Sequence, residues 1–202
     1  RKSIILENIF PIFSHMVSQG EKEKLLRQRG MVFWLTGLSG SGKSTLAKGL
    51  ERKLHNRGFL TKLLDGDNIR HGINSNLGFS EEDRQENIRR VAQVAKLFLG
   101  TGTVTICSFI SPTEKMRQLA KEIIGPENFF EIYVKCSLEV CEERDPKGLY
   151  RKVRKGEIKN FTGIHSEYEE PVSPNFILRT DNKTVRRSIR QCYREIISLI
   201  RY

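Results

Sequence analysis

A glycine-rich run early in the chain has the residue types and spacing that bind a polyphosphate. Residues 37–44, with the sequence GLSGSGKS, fit the pattern Gly-x-x-x-x-Gly-Lys-Ser/Thr. The glycines allow a tight turn that points successive N–H groups at phosphate oxygens, and the start of the next helix adds partial positive charge. The predicted nucleotide-binding residues are Gly37, Leu38, Ser39, Gly40, Ser41, Gly42, Lys43, Ser44 and Thr45. The run therefore predicts binding of ATP together with Mg²⁺.

Three side chains of this run have distinct expected contacts. We expect Lys43 to reach the β- and γ-phosphates, the Ser44 hydroxyl to ligate Mg²⁺, and Thr45 to contact the α-phosphate. Switch proteins, motors and small-molecule kinases all use a loop of this kind. The run therefore predicts the phosphoryl donor and leaves the acceptor open.

Two acids follow a predicted strand at 61–64, and they are candidates for the acceptor side. In a doubly wound sheet the end of that strand faces the glycine-rich loop, so Asp65 and Asp67 could meet a second substrate there. A carboxylate in this place can orient or deprotonate a hydroxyl, or hold a metal-bound water. The alternative is that both acids only cap a turn and a helix. The later apolar run 103–109 ends without the acid typical of hydrolysing relatives, which favours a hydroxyl acceptor.

Further motifs, taken in chain order, resemble those of the adenylyl-sulfate kinase (APS kinase) family. They are RHG at 70–72, LGFS at 77–80, RQENIRR at 84–90, FISP at 109–112, KGLY at 147–150 and FTG at 161–163. The likeness runs from about residue 7 to the C-terminus. Enzymes of this family use ATP to phosphorylate the 3′-hydroxyl of adenosine 5′-phosphosulfate (APS) in sulfate assimilation. The resemblance implies the same reaction here, with ADP and 3′-phosphoadenosine 5′-phosphosulfate as products.

The resemblance also implies roles for single residues on the acceptor side. Asp67 is implied as the general base nearest the acceptor hydroxyl, with Asp65 beside it in the same substrate site. Arg70, Arg84 and Asn87 are implied to grip the phosphosulfate and its surroundings. Planar guanidinium groups suit oxyanions, which agrees with these assignments. The alternative for Arg84 is a place on a solvated helix face.

Two phenylalanines are implied to sandwich the acceptor adenine. They are Phe79 and Phe161, and an aromatic ring suits stacking on a purine. The alternative for Phe79 is a place in the core, and the alternative for Phe161 is to pin the surrounding loop. Both roles stay open at the level of the sequence.

Ile110 and Ser111 are expected to line the substrate pocket. Bacterial members of the family are commonly described with the matching serine as a phosphoserine intermediate, which makes Ser111 a candidate catalytic residue as well. Ser111 has no nearby His or Lys in the sequence to activate it, and direct in-line transfer needs no intermediate. The pocket-lining role is therefore favoured over the covalent one.

A basic stretch at 145–174 is predicted to be an irregular loop. Across residues 147–159, Lys147, Arg151, Lys152, Arg154, Lys155 and Lys159 are opposed only by Glu157. Such a run by itself predicts no more than a solvated face. The family resemblance implies that it is a lid, which closes over both nucleotides, brings Lys147 toward the phosphates and excludes water.

The elements that must position these residues alternate between strands and helices. Strands are predicted at 31–35, 61–64, 103–109, 129–136 and 176–179, and helices at 43–56, 81–99, 113–124, 138–144 and 184–200. This order predicts an α/β fold, a P-loop NTPase-type three-layer sandwich with a five-stranded parallel sheet and helices on both faces. Residues 31–202 are expected to form one catalytic domain.

Residues 1–30 are expected to form an N-terminal extension. It carries apolar residues that we expect to pack on the sheet or on a second subunit. They are Ile4, Ile5, Ile9, Ile12 and Phe13. The family resemblance suggests a homodimer.

Composition limits the remaining possibilities. The chain of 202 residues has a net charge of +11, which favours anionic partners without choosing among them. It has no apolar run near the roughly 18 residues of a membrane span and no secretory signal, so we expect a cytoplasmic protein without a membrane partner. Its four cysteines form no Cys-x-x-Cys pair and are expected to be buried thiols.

Two other functions are alternatives to adenylyl-sulfate kinase activity. A P-loop kinase for a nucleoside monophosphate, a sugar acid or a nucleic-acid end would keep the loop, but it would not explain Asp67, Phe79 and Arg84 together. An ATP-dependent regulator could bind nucleic acid through its basic surface. That function would need a helix-turn-helix or an aromatic and basic strand face, and the sequence has neither, so no nucleic-acid partner is expected.

Overall fold

A computed structural model of the protein describes residues 10–12 and 15–202. Its strands are β1 (Met31–Thr36), β2 (Thr61–Asp65), β3 (Val104–Ser108), β4 (Phe129–Lys135) and β5 (Phe176–Arg179). They form one sheet in the order β2-β3-β1-β4-β5, and every neighbouring pair is parallel. Because β1 is central and connections leave it on both sides, ligands are expected at the carboxyl end of this strand.

Eight α-helices lie in the described part of the chain. They are α1 (Gln19–Leu26), α2 (Lys43–His55), α3 (Gly66–His71), α4 (Glu81–Leu99), α5 (Glu114–Ile124), α6 (Leu138–Arg144), α7 (Leu149–Arg154) and α8 (Val185–Ile200). A short 3₁₀ turn, Pro126–Asn128, precedes β4.

The core consists of two apolar layers, one on each face of the sheet. One layer packs α2 and α8 against side chains such as Phe33 and Ile132. The other packs α4 and α5 around Trp34, which is fully buried. The three-layer α/β sandwich with a five-stranded parallel sheet is confirmed.

Two segments that were expected to be irregular contain helices. The loop predicted after β2 is α3, which begins where Asp65 Oδ1 accepts from the N–H of Asp67 at 3.2 Å. Helix α3 has no buried residue, so its sequence lacks the regularly spaced apolar residues that predict a packed helix. Within 145–174, α7 starts where the Asp145 carboxylate accepts from the N–H groups of Tyr150 and Arg151 at 3.1 and 3.0 Å.

Part of the N-terminal extension forms helix α1. Ser18 and Glu21 form a reciprocal capping box at its start. Of the apolar residues expected to pack, Ile12 is exposed, whereas Ile4, Ile5, Ile9 and Phe13 lie outside the described residues. Their expected packing therefore stays a prediction.

The cysteines are all buried and none forms a disulfide. Burial raises the pKa of the Cys141 thiol to about 12, so this sulfur stays protonated at neutral pH. The expectation of buried thiols is confirmed. In the described ranges, no helix is long and apolar enough to cross a membrane.

Candidate active site

The glycine-rich run forms a tight loop between β1 and α2. Its glycines at 37, 40 and 42 all have positive φ, at 149°, 78° and 96°. A Cβ at Gly40 would lie 2.6 Å from the carbonyl oxygen of Cys141, and one at Gly37 would lie 2.5 Å from that of Val134. The loop therefore lies so close to β4 and α6 that side chains at these positions would not fit. Residues 37–45 form the donor half of the site.

Lys43 is buried at the start of α2. Its Nζ donates to the carbonyl oxygens of Gly37 at 2.8 Å and Leu38 at 2.7 Å. Burial is the main reason why its pKa falls to about 8, with a smaller opposing effect from Asp65. The ammonium therefore remains mostly charged at pH 7. The side chain of Ser41 is also buried, and its Oγ has no hydrogen-bond partner among the described residues.

Ser44 connects the donor half to the acids after β2. Its Oγ donates to Asp65 Oδ2 at 2.7 Å, while the other oxygen of Asp65 caps α3. Asp65 thus caps α3, as its alternative expected, but it does more than cap, because its other oxygen contacts the loop. A hydroxyl and a carboxylate side by side are oxygen ligands of the kind that Mg²⁺ prefers, so the residues present fit this ion. Asp67 is exposed one residue into α3.

The acceptor half consists of residues 65–87, and the lid is the separate segment 145–174. Arg70 Nη1 donates to the carbonyl oxygens of Leu77 at 3.1 Å and Gly78 at 2.8 Å. Its guanidinium carbon lies 4.5 Å from the centroid of the Phe79 ring. Phe79 is 64% exposed, so the core alternative for this residue is wrong. An exposed ring backed by a guanidinium offers a flat surface suited to stacking.

Arg84 joins α4 to the lid. Its Nε donates to the carbonyl oxygen of Phe79 at 2.9 Å, and its two Nη groups donate to Thr162 Oγ1 and to the carbonyl oxygen of Asn160. Arg84 is half-buried, and burial lowers its pKa from the usual arginine value. The alternative of a solvated helix face is therefore wrong for Arg84.

The lid makes two further contacts with the site and one within itself. Lys147 Nζ forms an ion pair with the Asp67 carboxylate, so a lid cation lies beside the predicted base. The Tyr150 hydroxyl donates to the carbonyl oxygen of Ser39 at 2.9 Å. Phe161 is half-buried and packs edge-on against Tyr150, with ring centroids 5.0 Å apart. The lid thus contacts both halves. The packing of Phe161 on Tyr150 fits the alternative that Phe161 pins the surrounding loop.

Ser111 has surroundings that do not suit a covalent role. The residue is 2% exposed, and its Oγ accepts from Trp34 Nε1 at 3.0 Å. Its backbone is left-handed, with φ at 46°, and its carbonyl oxygen accepts from Arg117 Nη1 at 2.8 Å. No described contact supplies a base for its hydroxyl. This environment gives no support to a phosphoserine intermediate.

Ile110 and Asn87 also lie beside the site. The carbonyl oxygen of Ile110 accepts from Thr36 Oγ1 at 2.6 Å, and Ile110 is half-buried. Asn87 is 5% exposed, and its Oδ1 accepts from Asn74 Nδ2 at 2.9 Å. Ile110 is therefore partly open to solvent, whereas Asn87 presents only a small part of its side chain.

Sequence reasoning missed a polar network behind Ser111. Arg117 is fully buried and forms ion pairs with Glu114 at 2.7 Å and Glu131 at 3.2 Å. Burial raises the pKa of Glu131 to about 7 despite the opposing charge of Arg117. The hydroxyls of Tyr168 and Thr36 lie 2.9 Å apart and link the lid to β1. Only Glu131, a charge within the apolar run 129–134, could have signalled this network.

A cavity of about 390 Å³ opens on the lid side of the loop. It is lined by Leu38, by Tyr133 at the end of β4, and by lid residues that include Tyr168 and Glu170. Neither Ser44 nor any predicted residue from 65 to 87 lines it. The cavity therefore does not mark the expected place of phosphoryl transfer.

Comparisons with known proteins agree with this arrangement. The adenylylsulphate kinase family model matches residues 29–179. The chain is 56% identical over 194 residues to an adenylyl-sulfate kinase of Phocaeicola vulgatus, covering 96% of this chain and 95% of that protein. It is 54% identical over 185 residues to one of Clostridium kluyveri, covering 92% and 90%.

A solved structure shows the same likeness. It is an APS kinase of Mycobacterium tuberculosis in complex with AMPPNP and APS, with a TM-score of 0.81 and 43% identity. The match covers 84% of this chain and 98% of that one.

Proposed function

The chain belongs to the adenylyl-sulfate kinase family, and we propose that it transfers the γ-phosphoryl group of ATP to the 3′-hydroxyl of APS. The products are ADP and 3′-phosphoadenosine 5′-phosphosulfate. The observation that carries this proposal is the hydrogen bond from Ser44 to Asp65, because it joins the donor half to the acceptor half. The phosphate loop is thereby held beside the end of β2, where Asp67 follows Asp65 by two residues, as in-line transfer between two bound nucleotides requires.

On the donor side, we assign the phosphates to the backbone N–H groups of residues 37–45 and to Lys43. Ser44 and Asp65 would hold Mg²⁺, which neutralises phosphate charge when it is bound. Lys43 has a charged ammonium within the loop, and its charge is best satisfied by phosphate oxygens. Thr45 stays assigned to the α-phosphate.

On the acceptor side, Asp67 orients the 3′-hydroxyl and accepts its proton. The ion pair with Lys147 supports this role, since it places a lid cation beside the carboxylate, where that cation offsets charge on the passing phosphoryl group. Arg70, Arg84 and Asn87 are assigned to the phosphosulfate, and Phe79 and Phe161 to the two faces of the adenine. Ile110 and Ser111 are assigned to the pocket wall.

The lid excludes water from the reacting groups. Its contacts through Lys147, Tyr150 and Thr162 reach both halves, so that closure and assembly of the site occur together. A closed lid limits transfer of the phosphoryl group to water. We therefore expect little ATP hydrolysis without an acceptor.

The substrate assignment is tested by measuring ADP release from ATP and Mg²⁺ with four acceptors. They are APS, AMP, GMP and gluconate, each at the same concentration. We expect rapid release with APS and background release with the other three. Comparable rates with any of these three would overturn the assignment. Release that survives in a Lys43→Ala variant would come from a contaminant.

We also propose a domain at 31–202 with a lid at about 145–174, an extension at 1–30, a homodimer, and a cytoplasmic location. The family resemblance supports the dimer. Light scattering on the purified chain tests it, with a mass twice that of one chain as the expected result. A monomer at micromolar concentration would contradict it.

A further inference from the structure

The acceptor loop, residues 72–80, follows α3 and carries several groups of the acceptor half. It supplies Phe79 and the carbonyl oxygens that hold Arg70. Most of the loop is exposed, but Asn74 is completely buried. A buried amide in an exposed loop calls for an explanation, because polar groups are costly to bury unless they are paired.

Asn74 contacts helix α4 through its amide nitrogen. Nδ2 lies 2.9 Å from Asn87 Oδ1 and 3.5 Å from the backbone carbonyl oxygen of Asn87. A backbone carbonyl can only accept, so the atom of Asn74 that faces it must be the donor nitrogen. The atom of the Asn87 side chain that faces Asn74 is therefore the acceptor Oδ1.

This pairing sets the direction of the Asn87 amide. With Oδ1 turned toward Asn74, the Nδ2 group of Asn87 points the other way. Asn87 lies three residues after Arg84 on α4, so the two side chains share a helix face. That face meets the lid through Arg84. Two donor groups are thus presented on the same side of α4.

The other end of the Asn74 amide has no partner. Its Oδ1 is buried and accepts no hydrogen bond from any described residue. An apolar side chain of similar size would avoid this unpaired acceptor. The amide is therefore poorly explained by packing alone, whereas its donor has a definite use in orienting Asn87.

We propose that Asn74 is a positioning residue for the acceptor. It fixes the Asn87 amide so that Nδ2 donates to the anionic group of the bound nucleotide, while Asn74 itself touches no substrate. The proposal rests on the proposed function, since it takes APS as the acceptor. Asn74, which lies behind the residues that contact the acceptor, would thereby help to select an anionic acceptor.

The test is a double-mutant cycle between Asn74→Leu and Asn87→Ala. Michaelis constants for APS and ATP are measured for the wild type, both single variants and the double variant. Asn74→Leu alone should raise KM for APS about tenfold, the effect of losing one hydrogen bond to a charged group. In the Asn87→Ala background the same change should add less than about twofold, because Asn74 acts only through Asn87.

A second variant reverses the polarity of the contact. Asn74→Asp places a carboxylate against Asn87, so the Asn87 amide should turn its nitrogen inward and its oxygen toward the substrate anion. KM for APS should then rise further than in Asn74→Leu, while KM for ATP changes less than about twofold. A purely structural loss would alter both constants or the melting temperature.

Asn76→Ala is the matched control. Asn76 lies in the same loop and accepts from Arg90 Nη1 at 2.8 Å, but it does not contact Asn87. Its removal should leave KM for APS unchanged. If Asn76→Ala raised this constant as much as Asn74→Leu, loosening of the loop would explain both effects and the proposal would fail.

Additive effects in the cycle would also overturn the positioning role. If Asn74→Leu does not fold, Asn74→Ser enters the same cycle, because a serine is too short to reach Asn87. Wild-type activity separates this proposal from the proposed function: no turnover of APS by the wild type would refute the function itself. Turnover of APS with an additive cycle would refute only the role of Asn74.

Discussion

The donor half and the acceptor half of the site are held in different ways. In the donor half, close backbone packing leaves no room for a side chain at Gly40, and Lys43 is buried. In the acceptor half, Asp67 and Phe79 are exposed, and contacts from the lid hold the surrounding groups. The difference indicates that the donor half is preorganised by the fold, whereas the acceptor half depends on lid position. Variants in the two halves should therefore fail differently.

The largest effect is expected from Lys43→Ala. Removing this charge from the donor half should lower kcat by about 10³-fold, as expected for a lost group that stabilises the transition state. The melting temperature should stay the same or rise, because burial of the Lys43 cation costs free energy on folding. ADP release and thermal unfolding measure the two quantities. A variant that kept its kcat would contradict the preorganised donor site.

Asp67→Ala should have the next largest effect. It should lower kcat by about 10²-fold or more, the range for loss of a general base. KM for ATP should stay near the wild-type value, because Asp67 lies in the acceptor half. Equal losses in kcat and in ATP affinity would contradict the role of a base and would remove the distinction between the halves.

Arg84→Lys tests how far the acceptor half depends on the lid. A lysine cannot replace the three separate donors of Arg84, so we expect KM for APS to rise about tenfold. ATP hydrolysis without acceptor should also increase, since the lid closes less firmly.

The control for this variant is Arg89→Lys. Arg89 lies on the same helix, is exposed, and pairs with Glu86 alone among the described residues. This change should affect neither constant. Equal effects of both substitutions would show that the lid contacts of Arg84 contribute nothing specific.

The smallest effect on catalysis is expected for Glu131→Gln, behind the acceptor half. Burial raises the pKa of native Glu131 to about 7, whereas in the unfolded chain this carboxyl has its ordinary pKa of about 4.5. The native state therefore binds more protons between these values, and the stability that Glu131 contributes falls as the pH rises through this window.

Glutamine does not titrate, so Glu131→Gln should gain stability relative to the wild type as the pH rises. The gain should reach about 2–3 kcal/mol above pH 7, as the size of the pKa shift implies. Urea unfolding at pH 5 and pH 8 measures it, and kcat should change less than about twofold. The same pH dependence in both proteins would mean that Glu131 is ionised in the native state.

The donor half was largely predictable from sequence, and the acceptor half much less so. The loop and its glycines follow one local pattern, and the sheet follows from alternating apolar segments. Helix α3 was missed because it buries no residue, and α7 because its basic residues obscure the burial of Tyr150 and Val153. The Asn74–Asn87 and Thr36–Tyr168 contacts join residues that are distant in sequence, so no local pattern could reveal them.

The hydrogen bond from Tyr150 to Ser39 has a consequence for how the lid tolerates change. It anchors a rigid helix of six residues, about 9 Å long, directly on the phosphate loop. The start of the lid is therefore fixed to the loop through α7, while Asn160 and Thr162 are held separately by Arg84. Insertions between 155 and 159 should leave both attachments in place, while an insertion before Tyr150 would pull the loop itself out of shape.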